Sequence, residues 1–321
     1  MVSKFKTKYL DNSDNPYFIS EIGINHNGIL SLALQMIRES KKAGFNAVKF
    51  QKRNANDLLN FGLKTKKPIG YLSKNKNDIP KKSVNFGKWV YPDTRLELKD
   101  KDYKKIKSYC KSIKIDLIIT PWDEKSMDFV ENIGVKAVKV ASIDANNFHF
   151  CNYIAKKRLP TIISTGMCTY DELKKTKKFF QKYKTPHMFL HCTSAYPTPY
   201  TEANLTAIET IRNSTGCEVG WSDHTVNSGV IHRAIHKWNA KVVEFHLDLD
   251  GKGEEFESGH CWLPEQIGSV IKQIRDAEDA DGDGIKEPVP SEMSDRLWRT
   301  DPSDGLRPFK SIRNSFNPNT I

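Results

Sequence analysis

Short apolar runs alternate along this chain with longer stretches whose apolar positions recur at helical spacing. The runs are 17–25 (Tyr-Phe-Ile-Ser-Glu-Ile-Gly-Ile-Asn), 47–51, 116–120, 137–142, 161–165, 187–192, 218–222 and 241–246. Near-continuous apolarity over so few residues predicts parallel strands buried on both faces. The stretches near 30–43, 100–112, 124–133, 148–157, 170–182, 203–213, 228–238 and 264–278 carry the helical period. Eight such units predict an α/β fold closed as a (β/α)8 TIM barrel, for which about 250 residues are usual. A doubly wound open sheet is the alternative. No glycine-rich fingerprint follows the first run, which argues against it.

Polar residues interrupt the runs mostly at their C-terminal ends: Glu21 and Asn25, Lys49 and Gln51, Thr120, Lys139 and Ser142, and Ser164. His191, Ser194 and Tyr196, then Ser222 and His224, then Glu244 and His246 continue the series. In a barrel these ends converge on one mouth, where active sites sit. A single polar residue in a buried strand is ordinarily a satisfied core group. A succession at the same end of each strand points to a shared site.

Two segments break the spacing. Residues 52–99 form a long connection after the second strand, in which Trp89, Tyr91 and Leu96 suggest a packed second half. Residues 285–321 read as an irregular tail, so the expected organisation is a barrel domain over 1–284 followed by that tail. Asp279-Ala-Asp-Gly-Asp-Gly284 imitates the start of a calcium loop, but its twelfth position is Pro290 where a bidentate Glu is required. A turn ending the eighth helix is the simpler reading.

Composition narrows the function class. The 321 residues carry a formal net charge of +11, which attracts anions, although lysines spread over solvated helix faces account for such an excess as well. No nucleic-acid-binding motif accompanies the charge. No apolar run approaches the ~20 residues of a membrane span, and the first residues show no apolar leader core. Cysteines 110, 151, 168, 192, 217 and 261 form no CxxC pair, which predicts free thiols in a reducing cytoplasm.

The residue types at the mouth suggest particular chemistry. His224 and His246 end adjacent strands, and two neutral imidazoles with open positions suit a divalent transition ion. Asp223 and Glu244 are the carboxylates expected to orient them. Lys49, Lys139, Thr120, Ser142, Ser164 and Ser222 supply the cations and hydroxyls that a small molecule carrying phosphate and carboxylate needs. A lysine inside the apolar run Ala137-Val-Lys-Val140 is costly to bury without an anion, whether Glu21 or a bound substrate.

Five blocks carry a family resemblance: Glu21-Ile-Gly-Ile-Asn-His-Asn-Gly28, Val48-Lys-Phe-Gln51, Ser164-Thr-Gly-Met167, His191-Cys-Thr-Ser-Ala-Tyr-Pro-Thr-Pro199 and Trp221-Ser-Asp-His-Thr225. In order and spacing the chain resembles the N-acetylneuraminate (sialic acid) synthase family over roughly 17–292. The resemblance implies a homodimeric (β/α)8 barrel with a Mn2+-type ion, Mg2+ or Co2+ being alternatives. It implies condensation of phosphoenolpyruvate with N-acetylmannosamine or a related amino-sugar aldehyde, yielding a nine-carbon 2-keto sugar acid and phosphate. By position, Lys49, Thr120, Lys139, Ser142, Ser164, Ser194 and Ser222 match phosphoenolpyruvate contacts. His224 and His246 match the metal ligands, and Gln51, Asp144 and Tyr196 match sugar contacts. Glu21, Glu244 and Glu292 match acidic active-site positions, with Glu21 the first candidate to move protons near the water.

The chain departs from the family pattern where the sugar is read. Gly253-Glu-Glu-Phe-Glu257-Ser-Gly-His-Cys-Trp262 replaces a Gly-Pro-Asp block. Glu257 is the expected counterpart of the sugar-binding Asp, with Glu254 and Glu255 as alternatives. Asp144 stands in place of Glu, and Ser194 in place of Asn. The sequence ends before the family's C-terminal antifreeze-like domain, and Arg299 or Arg307 of the tail is expected to supply the arginine that domain contributes. Legionaminic or pseudaminic acid synthesis is therefore a rival reading within the same chemistry. A metal-dependent hydrolase and a non-catalytic descendant are rivals from other classes.

Overall fold

The computed structural model describes residues 4–13, 15–54, 96–253 and 255–315, and of Glu278 the backbone alone. It contains the predicted closed barrel of eight parallel strands in the order 1 to 8. The strands are β1 (Tyr17–Gly23), β2 (Ala47–Lys52), β3 (Asp116–Pro121), β4 (Ala137–Val140), β5 (Thr161–Ser164), β6 (His187–His191), β7 (Val219–Asp223) and β8 (Val242–His246). The helices between them are α1 (Leu30–Lys42), α2 (Asp100–Ser112), α3 (Glu124–Ile133), α4 (Phe148–Lys156), α5 (Tyr170–Lys182) and α6 (Thr206–Thr215). The set closes with α7 (Ser228–His232), which runs on through a wider turn at Arg233–Lys237, and α8 (Pro264–Asp279). Of the long connection after β2, Trp89 and Tyr91 lie outside the described residues.

Local chemistry starts several helices where the periodicity begins. Asp123 caps α3 by accepting the Ser126 amide at 2.8 Å, and also accepts the Asn54 amide at 2.7 Å, tying two loops of the mouth together. Thr169 and Glu172 form a reciprocal cap at the start of α5.

Strand alternation divides the core in two. Outward positions such as Phe18, Val48, Phe50, Ile119, Val138, Ile163, Phe189, Trp221 and Phe245 pack with helix residues including Met36, Ile106, Val130, Ile154, Phe180 and Ile208. Inward positions form a second cluster: Tyr17, Ile19, Ala47, Ile118, Ala137, Ile162, Met188, Leu190 and Val242. Phe5, just before the turn Lys6–Leu10, and Leu10, its last residue, complete this cluster and plug the N-terminal end of the barrel. Gly220 is the small inward position of β7, since a Cβ there would stand 2.1 Å from the Val242 carbonyl oxygen and 2.7 Å from Leu190 Cδ2. One residue pair further along each strand, the inward face turns polar.

The chain forms two compact units, Met1–Arg275 and Asp276–Ile321. The second contains α9 (Met293–Arg296) and α10 (Lys310–Ser315), helices too short to leave a period in the sequence. Arg313 pairs with Asp304, and Asp301 accepts the Lys310 amide at 2.7 Å.

Candidate active site

The polar ends of the strands meet inside the barrel mouth. Register places Glu21 of β1 beside Lys49 of β2 and His246 of β8, Gln51 of β2 beside Thr120 of β3, and Ser222 of β7 beside Glu244 of β8. Four buried charges interlock there. Lys49 Nζ lies 2.6 Å from Glu21 Oε2 and 3.5 Å from Glu244 Oε1, and Lys139 Nζ lies 3.1 Å from the same Glu244 oxygen. Gln51 Nε2 donates to Glu21 Oε1 at 2.9 Å, Lys49 Nζ to Thr120 Oγ1 at 3.3 Å, and Ser222 Oγ to Glu244 Oε1 at 3.5 Å.

None of the four charged residues is more than 4% exposed, so each has lost its hydration. Burial pulls Lys49 down, but Glu21 and Glu244 outweigh it and the ammonium is held above its ordinary value. Lys139 faces the same burial with Glu244 as its principal counter-charge and Lys49 opposing it, and falls below its ordinary value. Burial would raise Glu244, but Lys139 and Lys49 prevail and hold it well below the usual carboxylate range. The quartet is neutral in sum, yet Lys139 is the cation least supported by the protein. An incoming anion would complete its pairing. An apolar layer of equal volume would cost the fold less, which argues that these charges are kept for function.

Beside Lys139 lies a cradle of small polar groups. Ser142, in the turn Ser142–Asp144 after β4, accepts the Gly166 amide at 3.0 Å and stands 3.1 Å from Cys192 Sγ. A Cβ on Gly166 would approach Ser194 Oγ to 2.2 Å, Ser142 Oγ to 2.9 Å and Cys192 Sγ to 3.0 Å, so glycine keeps the cradle open. Ser164 Oγ is buried there with no hydrogen-bond partner, a group normally satisfied by something bound.

Imidazoles close the other side. His224 and His246 have ring centres 5.2 Å apart. His224 Nδ1 donates to the Thr193 carbonyl at 2.8 Å and His246 Nδ1 to Glu255 Oε2 at 3.0 Å, which leaves the Nε2 atoms as lone-pair donors. Burial, with His246 nearby, holds His224 neutral at about 3. Burial also acts to lower His246, but Glu255 outweighs it and raises the imidazole above its ordinary value. The Tyr196 ring packs 4.4 Å from His224.

The sequence profile of the NeuB family matches residues 36–286. The chain belongs to the NeuB family. It is 34% identical over 282 residues to the N,N'-diacetyllegionaminic acid synthase of Legionella pneumophila, covering 86% of this chain and 76% of that protein. It is 31% identical to the N-acetylneuraminate-9-phosphate synthase of Mus musculus, covering 87% of this chain and 74% of that one. Among solved structures, the N-acetylneuraminic acid (sialic acid) synthetase of Leptospira borgpetersenii superposes with a TM-score of 0.70 at 28% identity, covering 88% of this chain and 91% of the other.

Against this NeuB background the structure redistributes several expected roles. Asp223 does not orient an imidazole: its carboxylate accepts from Trp221 Nε1 at 3.2 Å, Trp262 Nε1 at 3.3 Å and Thr225 Oγ1 at 2.7 Å, fixing the loop after β7. Glu244 pairs with lysines instead, so the groups that orient the two imidazoles are the Thr193 carbonyl and Glu255. His191 points outward from β6, where its Nε2 donates to the Ala203 carbonyl at 3.0 Å. Asn25 holds the Glu255 loop, accepting the Glu255 amide at 2.8 Å and donating to the Leu247 carbonyl at 3.0 Å.

Two of the sequence departures lie in the segments that follow β4 and β8. Glu257 sits on the exposed side of the turn Phe256–Ser258, whereas Glu255 is buried against His246. Asp144 is half-buried beside α4 and accepts from Asn147 Nδ2 at 3.1 Å, and burial raises its carboxyl. Glu292, Arg299 and Arg307 belong to the second unit. There Glu292 accepts the Val289 amide at 3.1 Å and Arg307 Nε donates to Thr300 Oγ1 at 2.7 Å.

Sequence reasoning missed Cys192 and His260. The alternation 188, 190, 192 on β6 points Cys192 inward and was available as a signal. His260 lies in an irregular loop whose path no periodicity reveals. Potential ligand atoms of His246, Glu255, His260 and Cys261 all fall within 4.8 Å of one another. Imidazoles whose Nδ1 atoms are hydrogen-bonded, His224 to the Thr193 carbonyl and His246 to Glu255, fit the divalent ion that the NeuB resemblance implies.

Proposed function

We propose that the chain condenses phosphoenolpyruvate with an open-chain 2-acetamido sugar aldehyde, releasing phosphate and forming a nine-carbon 2-keto sugar acid of the sialic-acid type. The observation that carries this reading is the buried quartet of Glu21, Lys49, Lys139 and Glu244 beside the hydroxyl cradle. It supplies two buried cations beside several hydroxyl donors, as a small molecule carrying both a phosphate and a carboxylate requires. The relatives named above support the same reaction class.

In this reading Lys49 and Lys139 hold the carboxylate and phosphate of phosphoenolpyruvate, with Thr120, Ser142, Ser164, Ser194 and Ser222 donating to their oxygens. Binding an anion beside Lys139 restores the support that Glu244 alone does not provide. Gln51, Asp144 and Tyr196 contact the sugar from the rim, and Glu255 rather than the exposed Glu257 is the acidic residue facing the reaction. His224 and His246 hold a divalent ion, which when bound supplies Lewis-acid polarisation of the aldehyde oxygen. Carbon 3 of phosphoenolpyruvate attacks the aldehyde carbon, and water adds at carbon 2. Glu21, hydrogen-bonded to Gln51 and paired with Lys49, takes a proton from that water, and the alkoxide formed on the aldehyde carbon takes one up to become the new hydroxyl. The tetrahedral hemiketal phosphate then breaks its C–O bond, and Lys49 and Lys139 stabilise the departing anion.

Mn2+ as the native ion, a homodimeric assembly and a cytoplasmic setting belong to the same reading. Among the described residues no helix is long and apolar enough to cross a membrane, and all six cysteines are free. Phosphate release measured with phosphoenolpyruvate, a divalent ion and a panel of aldehyde sugars tests the proposal. Release dependent on both substrates supports it, and the preferred sugar separates sialic, legionaminic and pseudaminic acid synthesis. Turnover of a sugar without phosphoenolpyruvate would point to a hydrolase instead.

A further inference from the structure

The loop after β8 brings a third imidazole to the metal pair. Trp262 anchors it: Leu247 and Trp262 form a parallel bridge, with the Trp262 amide donating to the His246 carbonyl at 2.8 Å and the Asp248 amide to the Trp262 carbonyl at 2.9 Å. The Trp262 indole also bonds Asp223 at the end of β7. His260 stands two residues before this anchor, so its position is set by the strands that carry His224 and His246.

His260 is 2% exposed, and its Nδ1 has no hydrogen-bond partner. Its Nε2 has Cys261 Sγ at 3.9 Å, the outer limit of a sulfur contact. Buried histidines that serve structure bond at least one nitrogen well, and this one does not. The ring centres lie 4.5 Å from His246 and 6.0 Å from His224, with planes inclined at 67° and 83°. An ion about 2.0–2.1 Å from an imidazole nitrogen stands about 3.2 Å from the ring centre, which spaces coordinated rings about 4.5–5.2 Å apart for octahedral to tetrahedral angles. The 246–260 and 224–246 pairs have those spacings, and the 224–260 pair, at 6.0 Å, is wider than a tetrahedral angle gives.

We infer that His260 is a third ligand of the divalent ion, making the centre a three-histidine site in which Glu255 orients His246. This rests on the assignment of His224 and His246 as ligands. Three imidazole nitrogen donors favour a transition ion such as Mn2+, Fe2+, Co2+ or Zn2+ over Mg2+, which prefers oxygen. His260 also occupies a coordination position that a two-histidine centre leaves to solvent or substrate.

The test is Co2+ titration of the chelator-stripped full-length protein, read by visible ligand-field absorption, with Zn2+ affinity from competition against a chromophoric chelator. His260→Ala is expected to weaken both ions more than about a hundredfold and to alter the Co2+ band, as loss of a ligand exceeds the about 10- to 100-fold that loss of an outer partner costs. Cys261→Ser is expected to leave both unchanged. His260→Gln, which keeps a polar side chain in the cavity, serves if the alanine variant does not fold. X-ray absorption at the Zn edge of the unmodified protein counts imidazoles independently of any substitution. Three supports the inference and two overturns it. Wild-type titration by both His260 variants, with binding lost in His224→Ala and His246→Ala, overturns the third ligand alone. Unchanged titration in all the histidine variants would place the ion elsewhere and remove the underlying assignment too.

Discussion

The lower and upper halves of the barrel interior are built on the same strands and obey opposite rules. Ile19, Ala47, Ile118, Ala137, Ile162 and Val242 face one another below, and two residues later Glu21, Lys49, Thr120, Lys139, Ser164 and Glu244 face one another above. The lower half gains by leaving water. The upper half gives up the hydration of two carboxylates and two ammonium groups and recovers it through mutual pairing and the hydrogen bonds of Gln51, Thr120 and Ser222. Stability therefore comes from the lower half, and a preformed electrostatic environment from the upper half. Close-packed neighbours hold the second in place for the first to carry.

Substitutions that exchange the character of the two halves test this division. The largest effect is expected from Lys139→Met, which leaves Glu244 short of its principal counter-charge. A loss of about 3–5 kcal/mol in unfolding free energy accompanies removal of one partner of a buried pair, and kcat/KM for phosphoenolpyruvate should fall at least about a thousandfold, about 4 kcal/mol of transition-state stabilisation. Adding Glu244→Gln to Lys139→Met should restore most of the stability and none of the activity. Recovery of both would show that the quartet is structural. In the lower half Ile118→Ala should cost about 2–5 kcal/mol by denaturant unfolding, with kcat of the folded enzyme within about twofold of wild type.

A smaller effect is expected at the rim. Glu255→Gln keeps a hydrogen-bond acceptor for His246 but removes its charge, and divalent-ion affinity measured by chelator competition should fall about 10- to 100-fold. The smallest concerns pH. His26 is held at about 4 chiefly by burial, against an unfolded value of about 6.5. Between those values the unfolded chain binds the proton and the folded chain does not, so stability falls as pH drops below about 6.5, by up to about 1.4 kcal/mol per pH unit. His26→Asn, which can still accept the Gly28 amide that His26 Nδ1 accepts at 3.0 Å, should flatten the stability profile between pH 6.5 and 4. An unchanged slope would show that His26 is protonated in the fold.

The barrel was legible in the sequence because each strand is a short apolar run and each long helix carries its own period. The strand limits differ from the expected ones by at most two residues, as where 17–25 ends at Gly23 and 137–142 at Val140. Lys49, Lys139 and Glu244 were legible for a related reason: a charge inside an apolar strand has nowhere to go but inward, toward a partner. Asp223 misled because adjacency to His224 in sequence implies contact, whereas successive strand residues face opposite ways. Glu255 and His260 lay beyond this logic. They are placed by a loop folded on Asn25 and Trp262, and loops carry no period that says which of Glu254, Glu255 and Glu257 turns inward.

The division of the barrel interior is tested most directly by calorimetric titration of phosphoenolpyruvate into the wild-type protein, Ile118→Ala and Lys139→Met at one pH below the thermal transitions of all three. Ile118→Ala is expected to bind as the wild type does, although it is the less stable protein, and Lys139→Met to show no saturable binding. Equal binding by Lys139→Met, or loss of binding in a folded Ile118→Ala, would contradict that division.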